Sequence, residues 1–356
     1  MNSFTIQTKG GIYTSSQLPE PKDDSFEGRA ILFCRQWVNG QTSFSLTTSG
    51  STGTPKVIQA TRDQMKQSAL ATARSIALKP GQTSLVCLDP NYIAGRMMLV
   101  RSMEVGMNIL LAEPSANPFS YLSSNSSIDF VALVPYQVQT ILQSKEKSFF
   151  NSISNILIGG APLSQKTESE LQDFNCQFYE TYGMTETLSH IALRKVNGKE
   201  RSDYFQTLRN VLIRQDDRQC LCIQVPFLET EIITNDVVVL RDENSFKWLG
   251  RWDHVINTGG VKVHPEEIEK KIALIFESLG LTNRFFIAGL PDERLGTSVD
   301  LIVEGGLSDE IKNSIEEKWS VLLTRFEVPK SIRLTSQFTE TATQKIDRKK
   351  TIQLLR

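Results

Sequence analysis

Between Ser84 and Tyr179 short apolar runs alternate with stretches of helical length. Ser84-Leu-Val-Cys-Leu, Asn108-Ile-Leu-Leu-Ala, Asp129-Phe-Val-Ala-Leu-Val, Ile153-Ser-Asn-Ile-Leu-Ile and Cys176-Gln-Phe-Tyr read as buried strands, and residues 93–106, 136–148 and 163–173 read as helices. That alternation predicts a parallel or mostly parallel sheet with helices on its faces. Such sheets take ligands at the carboxyl ends of their strands. After about residue 205 the pattern changes. Val211-Leu-Ile-Arg, Cys220-Leu-Cys-Ile-Gln-Val, Thr230-Glu-Ile-Ile-Thr and Val237-Val-Val-Leu are strands joined by short polar turns, which predicts antiparallel pairing. A third texture begins near Gly250: a helix at 265–278, strands at 284–289 and 299–304, a helix at 308–325 and a strand at 331–335. The expected fold is a large α/β N-terminal domain, mostly parallel sheets and helices with a small antiparallel β region, followed by a small α+β C-terminal domain. The division into residues 1–250 and 251–356 rests on this change of pattern alone.

Composition narrows the possible partners. The 356 residues carry 39 basic and 40 acidic side chains, so there is no positive field for nucleic acid or an anionic membrane. No apolar run has the length of a bilayer span, and Met1-Asn-Ser-Phe-Thr lacks the charged start and apolar middle of a signal peptide. The five dispersed cysteines read as small apolar core residues, since Cys220-x-Cys222 with distant histidines is a poor zinc site. A reducing cytoplasm fits these features.

Chemistry concentrates in three segments. In Thr47-Thr-Ser-Gly-Ser-Thr-Gly-Thr-Pro-Lys56, glycines admit a tight backbone whose N–H groups can face an anion. Ser49, Ser51 and Thr52 add hydroxyl donors and Lys56 adds charge. Phe44-Ser-Leu-Thr-Thr before the loop reads as a strand, so the loop would leave the end of a sheet. Its spacing is not that of a Walker loop. A flexible Ser/Gly linker is the bland alternative; a loop that handles a triphosphate accounts better for the Thr-Pro-Lys ending. In Tyr179-Glu-Thr-Tyr-Gly-Met-Thr-Glu-Thr187 a base can stack on Tyr182, Thr185 can donate to a phosphate and Glu186 can hold Mg²⁺ by oxygen; a strand-capping turn is the alternative. In Gly250–Glu269, Arg251 and Asp253 flank the change of texture, and Gly259-Gly260 precedes Val-Lys-Val. Pro265 then opens a helix whose early glutamates suit its N-terminus. With Gly159-Gly160-Ala161 also placed after a strand, the first two segments and this turn are expected to meet in one crevice. The histidines, His190, His254 and His264, read as structural.

Taken in order, Thr48–Lys56, Gly159-Gly-Ala-Pro-Leu163, Tyr182-Gly-Met-Thr-Glu-Thr187, Asp236, Gly250-Arg-Trp-Asp253 and Gln344-Lys-Ile-Asp-Arg348 resemble the adenylate-forming superfamily of acyl-CoA synthetases and adenylation domains. The resemblance spans residues 44–348. It implies that Thr48, Ser49, Gly50, Ser51, Thr52, Gly53 and Lys56 hold the pyrophosphate part of ATP. It implies further that Gly159, Gly160, Ala161, Tyr182 and Gly183 frame the adenine. Thr185 would touch the α-phosphate, Glu186 bind Mg²⁺, and Asp236 and Arg251 hold the ribose. Lys345 would be the catalytic lysine, with Lys349 and Lys350 as weaker alternatives. Asp253 would be the hinge about which the C-terminal domain swings, and Gly259-Gly260-Val-Lys-Val263 would line the channel for coenzyme A. The chain departs from the family in two places. Only 47 residues precede Thr48, so part of the usual N-terminal subdomain is expected to be missing, and Gln344 stands where a glycine usually precedes the lysine.

Within that superfamily, Asp89-Pro-Asn-Tyr-Ile-Ala-Gly-Arg-Met-Met-Leu-Val-Arg-Ser102 is similar to the o-succinylbenzoate–CoA ligases of menaquinone synthesis. The resemblance implies that Tyr92 (in place of the commoner histidine), Gly95 and Arg101 contact the acid, whereas Arg96 faces elsewhere on the helix. The implied partners are a small carboxylic acid, ATP and coenzyme A. Another aryl- or short-acyl-CoA ligase, or a nucleotide-binding domain without CoA turnover, stays open at this point, as does a homo-oligomer.

Overall fold

In the computed structural model, residues 2–47, 57–123, 126–340 and 346–355 are described. The alternating region builds the middle of one sheet. Strands β1 (Thr5–Thr8), β2 (Gly11–Thr14), helix α1 (Phe26–Val38), β3 (Ser43–Thr47), β4 (Val57–Thr61) and α2 (Arg62–Ser75) come first, followed by β5 (Thr83–Val86), α3 (Ile93–Val105) and β6 (Asn108–Leu111). Next are β7 (Phe130–Leu133), α4 (Pro135–Leu142), β8 (Asn155–Ile158), α5 (Gln165–Glu170) and β9 (Gln177–Gly183). Strands β1, β6, β5, β7, β8 and β9 lie side by side and parallel.

The antiparallel strands continue this sheet instead of forming one of their own. They are β10 (His190–Lys195), β11 (Phe205–Thr207), β12 (Leu212–Gln215), β13 (Cys220–Gln224), β14 (Ile232–Asp242) and β15 (Ser245–Arg251). With them the sheet has 13 strands among the described residues, from β12 at one edge to β2 at the other. The two strands expected at 230–234 and 237–240 are one long strand, β14; a bulge between Val237 and Val238 absorbs the break in alternation. The helix expected at 136–148 ends at Leu142, where the Ser144 hydroxyl donates to the Ile141 carbonyl, and a 3₁₀ turn at Lys145–Asn151 follows. The helix expected at 163–173 is likewise α5 plus a 3₁₀ turn at Leu171–Asp173. β3 does not join the large sheet. It pairs antiparallel with β4 in a separate two-stranded sheet.

Beyond Arg251 the chain forms the hairpin β16 (Ile256–Thr258) and β17 (Val261–Val263), helix α6 (Pro265–Ser278), strands β18 (Phe285–Asp292) and β19 (Gly296–Glu304), helix α7 (Asp309–Leu322), β20 (Ile332–Thr335) and helix α8 (Arg348–Leu354). Gly259 and Gly260, at φ +56° and +83°, turn the β16–β17 hairpin with the positive φ that a two-residue loop requires. β18, β19 and β20 make a three-stranded sheet with its own core, in which Ile268, Ile272, Leu301, Ile315 and Trp319 pack together. All five cysteines are buried in the two cores of the large sheet or within its strands. No helix among the described residues is long and apolar enough to cross a membrane.

Candidate active site

The carboxyl ends of β8 and β9 carry two of the expected segments. Gly159, Gly160 and Ala161 follow β8 directly, and Gly160 takes φ +91°. Glu180 on β9 fixes this turn: its Oε1 accepts from the Leu163 N–H at 3.0 Å while Oε2 accepts from Arg194 Nε at 2.7 Å. Arg194 also meets Glu168, so a buried guanidinium is shared by two buried carboxylates. Sequence reasoning passed over this network, since nothing in the pattern distinguishes Glu180 from a solvent-facing strand residue.

At the end of β9 the chain reverses within Met184–Ser189 and returns as β10, with Gly183 opposite His190. A Cβ at Gly183 would lie 2.3 Å from His190 Cα, so only glycine lets the two strands close this tightly. Leu188, buried, holds φ +62°, and the Thr187 hydroxyl donates to the Ser189 carbonyl at 2.6 Å and accepts from the Met184 N–H at 3.0 Å to pin the turn. The turn presents Thr185, partly exposed, and Glu186, exposed.

Tyr182, Asp236 and Arg251 come together. Asp236 and Arg251 are ladder partners on β14 and β15, and the Tyr182 hydroxyl donates to Asp236 Oδ2 at 2.6 Å. Trp248 Nε1 donates to Asp236 Oδ1 at 3.2 Å, a contact the sequence did not announce. The Tyr182 ring packs edge-on against Phe246, 5.0 Å between centroids. Burial, with the Asp236 carboxylate beside it, holds the phenol well above its ordinary pKa, so it stays a donor. Arg251 Nε also bonds Asp253 Oδ1 at 2.9 Å across the 3₁₀ turn Trp252–His254. His254 Nδ1 meets Glu266 Oε1 at 2.5 Å, and Glu266 lies against Gly250.

The segment read as acid-binding is α3. Gly95 sits at its start, where a Cβ would come 2.4 Å from the Leu88 and Asp89 carbonyl oxygens. Met97, Met98, Leu99, Val100 and Met103 are all buried, and so is Arg101, at 3 % exposure. Arg101 Nη2 donates to Ser189 Oγ at 2.5 Å and faces His190 Nδ1 at 3.5 Å, while its buried Nε has no partner. No carboxylate pairs with it among the described residues. Burial pushes its pKa down to about 9, which still leaves it charged at neutral pH. Tyr92, by contrast, is 59 % exposed at the helix N-cap, about 13 Å along the axis from Arg101, so it is not brought to the guanidinium. Arg96 turns away as expected, donating to the Pro90 and Ser45 carbonyls.

Thr48, Ser49, Gly50, Ser51, Thr52, Gly53, Lys56, Gln344 and Lys345 lie outside the described residues. The β3–β4 hairpin brackets the first group, and the Glu340–Ile346 bridge brackets the last two. Gly259 and Gly260 are exposed at the hairpin tip. For magnesium, the described residues contain no cluster of three or more potential ligands, and Glu186 stands alone and exposed. A single carboxylate suits Mg²⁺, which keeps most of its shell as water and substrate phosphate.

The AMP-binding enzyme family matches residues 12–215, more than half of the chain. Among solved structures, an acyl-CoA synthetase (AMP-forming)/AMP-acid ligase II-like protein from Dyadobacter fermentans is 38% identical, with 95% of this chain and 96% of that one covered and a TM-score of 0.64. The o-succinylbenzoate coenzyme A synthetase of Bacillus subtilis, solved with ATP and magnesium ion, is 20% identical with a TM-score of 0.70 over 86% of this chain and 69% of that one, a likeness of fold. A 2-succinylbenzoate–CoA ligase of Listeria monocytogenes serotype 4b is 24% identical over 352 residues, 92% of this chain and 73% of that protein. Sequence match, fold and motif order agree: the chain belongs to the AMP-binding enzyme family, the adenylate-forming acid–CoA ligases.

Proposed function

We propose that this protein is an o-succinylbenzoate–CoA ligase. A carboxylate oxygen of the succinyl arm attacks the α-phosphorus of ATP and pyrophosphate leaves; the thiol of coenzyme A then attacks the acyl carbon and AMP leaves. Both steps call for positioned cations and N–H donors around phosphoryl oxygens more than for proton transfer. In this reading Thr48–Lys56 cradles the pyrophosphate, Thr185 donates to the α-phosphate, and Asp236 and Arg251 take the ribose hydroxyls. Lys345 meets the oxygens that react. Glu186 holds Mg²⁺, which neutralises phosphate charge when bound. The exposed hairpin tip at Gly259-Gly260 faces coenzyme A.

The observation that carries the choice of acid is Arg101. A buried guanidinium without a counter-charge is costly unless a ligand supplies one. o-Succinylbenzoate brings a second carboxylate, on its ring, that is not activated and needs a cation in the acyl pocket. The names of relatives at 24% identity point the same way. The test is a panel of acids, including shorter dicarboxylic acids and an o-succinylbenzoate analogue without the ring carboxylate, assayed for AMP formation with and without coenzyme A. o-Succinylbenzoate should be preferred. Arg101→Leu should raise its KM by about 10–100-fold, the worth of hydrogen bonds to a charged group, and leave the KM for ATP nearly unchanged. Equal turnover of the analogue by the wild-type enzyme would refute both the acid and the role of Arg101.

A further inference from the structure

Arg101 is not held by packing alone. Four polar groups, two from α2 and two at the start of β10, form a chain of hydrogen bonds behind it. The Thr72 hydroxyl lies 2.9 Å from His190 Nε2 and donates to the Ser68 carbonyl at 3.3 Å. On the other side of the imidazole, Nδ1 is 3.4 Å from Ser189 Oγ and 3.5 Å from Arg101 Nη2. Thr72, Ser68 and His190 are all buried.

The directions of these bonds follow from one fact: a guanidinium has donors and no acceptor. Nδ1 faces those donors and must offer its lone pair, so the ring proton sits on Nε2. The Thr72 oxygen then accepts from Nε2–H and sends its own proton to Ser68. Ser189 accepts from Arg101 and donates to Nδ1. Every proton in the chain points away from the cation, an arrangement in which each bond polarises the next. A protonated imidazole would break it by setting a second positive charge against Arg101.

Resting on the o-succinylbenzoate reading, we infer that His190, held by Thr72 as the neutral Nε2–H tautomer, is a positioning residue: it and Ser189 anchor Nη2 of Arg101 so that the unpaired Nε–H is left aimed at the ring carboxylate of the acid. The imidazole makes no contact with the acid itself. Burial, and then the neighbouring Arg101, keep it well below its ordinary pKa, consistent with a permanently neutral acceptor. His254 and His264 have no such arrangement.

Two variants and one spectrum test this. His190→Phe keeps a ring and removes both nitrogens; it should raise the KM for o-succinylbenzoate by about 10–100-fold, with kcat, the KM for ATP and the KM for the analogue without the ring carboxylate little changed. His190→Gln, which again offers one acceptor and one donor, should recover most of the loss. In the acid-free wild-type protein, nitrogen-15 NMR of the imidazole should read the neutral Nε2–H tautomer at neutral pH. A Nδ1–H or doubly protonated ring overturns the proposal. So does a rise in KM for both acids alike, which would mark a merely structural histidine. A preference lost in Arg101→Leu but kept in His190→Phe overturns this proposal and leaves the choice of acid standing. A wild-type enzyme with no preference sinks the choice of acid, and this proposal with it.

Discussion

Two side chains separated by only four positions, Glu186 and His190, sit in opposite surroundings, and each has its own measurable consequence. Glu186 is exposed on the turn between β9 and β10 and has no ion pair among the described residues. If it is the carboxylate for Mg²⁺, as proposed, it should tolerate an amide for folding and not for chemistry. Glu186→Gln should keep the wild-type unfolding midpoint and lose about 10²–10³ in adenylation rate, as removal of one preorganised charge contact does; a wild-type rate would count against the assignment. His190 is buried and held neutral, with its folded pKa far below that of a free imidazole. Below about pH 6.5 the unfolded chain binds a proton that the folded one does not. Unfolding therefore gains on folding as pH falls, by roughly 1.4 kcal/mol per pH unit until the folded pKa is reached. His264, half-buried and lowered by burial, acts in the same direction. The slope that belongs to His190 is the part missing in His190→Gln, read from urea unfolding at several pH values; identical slopes would mean that His190 titrates in the native state.

At the level of elements, α3 has little room to adjust. It is buried on nearly all sides, and its start is pressed against the Leu88 and Asp89 carbonyls through Gly95. Gly95→Ala should cost about 1–3 kcal/mol by overpacking. It should also displace the helix that carries Arg101, raising the KM for the acid more than the KM for ATP; an unchanged acid KM would place the acyl pocket elsewhere. Much of this was legible beforehand. The parallel strands and α3 follow from apolar runs; the close approaches at Gly95 and Gly183 emerge only in the structure. What could not be read were contacts that depend on register between distant elements. Ser189 and His190 reach Arg101 because β9 and β10 pair with Gly183 opposite His190, and Thr72 joins them because α2 packs beside α3. A lone histidine at a strand start carries no trace of either. Local reading also split β14 in two, because a bulge interrupts the alternation that reveals a strand, and it left the first forty residues, with β1, β2 and α1, without assigned elements.

For the molecule as a whole, the question is how the region after Arg251 acts with the large sheet. Arg251 bonds Asp253, His254 bonds Glu266, Glu266 rests on Gly250, and Arg348 reaches Glu269 at 2.9 Å. The chain from the last strand of the large sheet to the helix after Lys345 is thus linked through one group of charged residues. If Asp253 is the pivot, Asp253→Pro should fix its φ and hold one arrangement. Adenylate formation and thioester formation from a supplied acyl-adenylate would then fall by very different factors; equal losses, or none, would put the pivot elsewhere. The buried cysteines have a practical corollary at the same scale. Cys34, Cys87 and Cys176 are shielded, with burial pushing their thiols up to about 12, and Cys220 and Cys222 are likewise enclosed and shifted upward. Thiolate is the reactive form, so the native protein should be nearly silent to a disulfide dye. In a cuvette holding enzyme, acid, ATP and coenzyme A, the fading colour yield of such a dye in timed samples would report consumption of the coenzyme's sulfhydryl alone, with no protein blank to subtract.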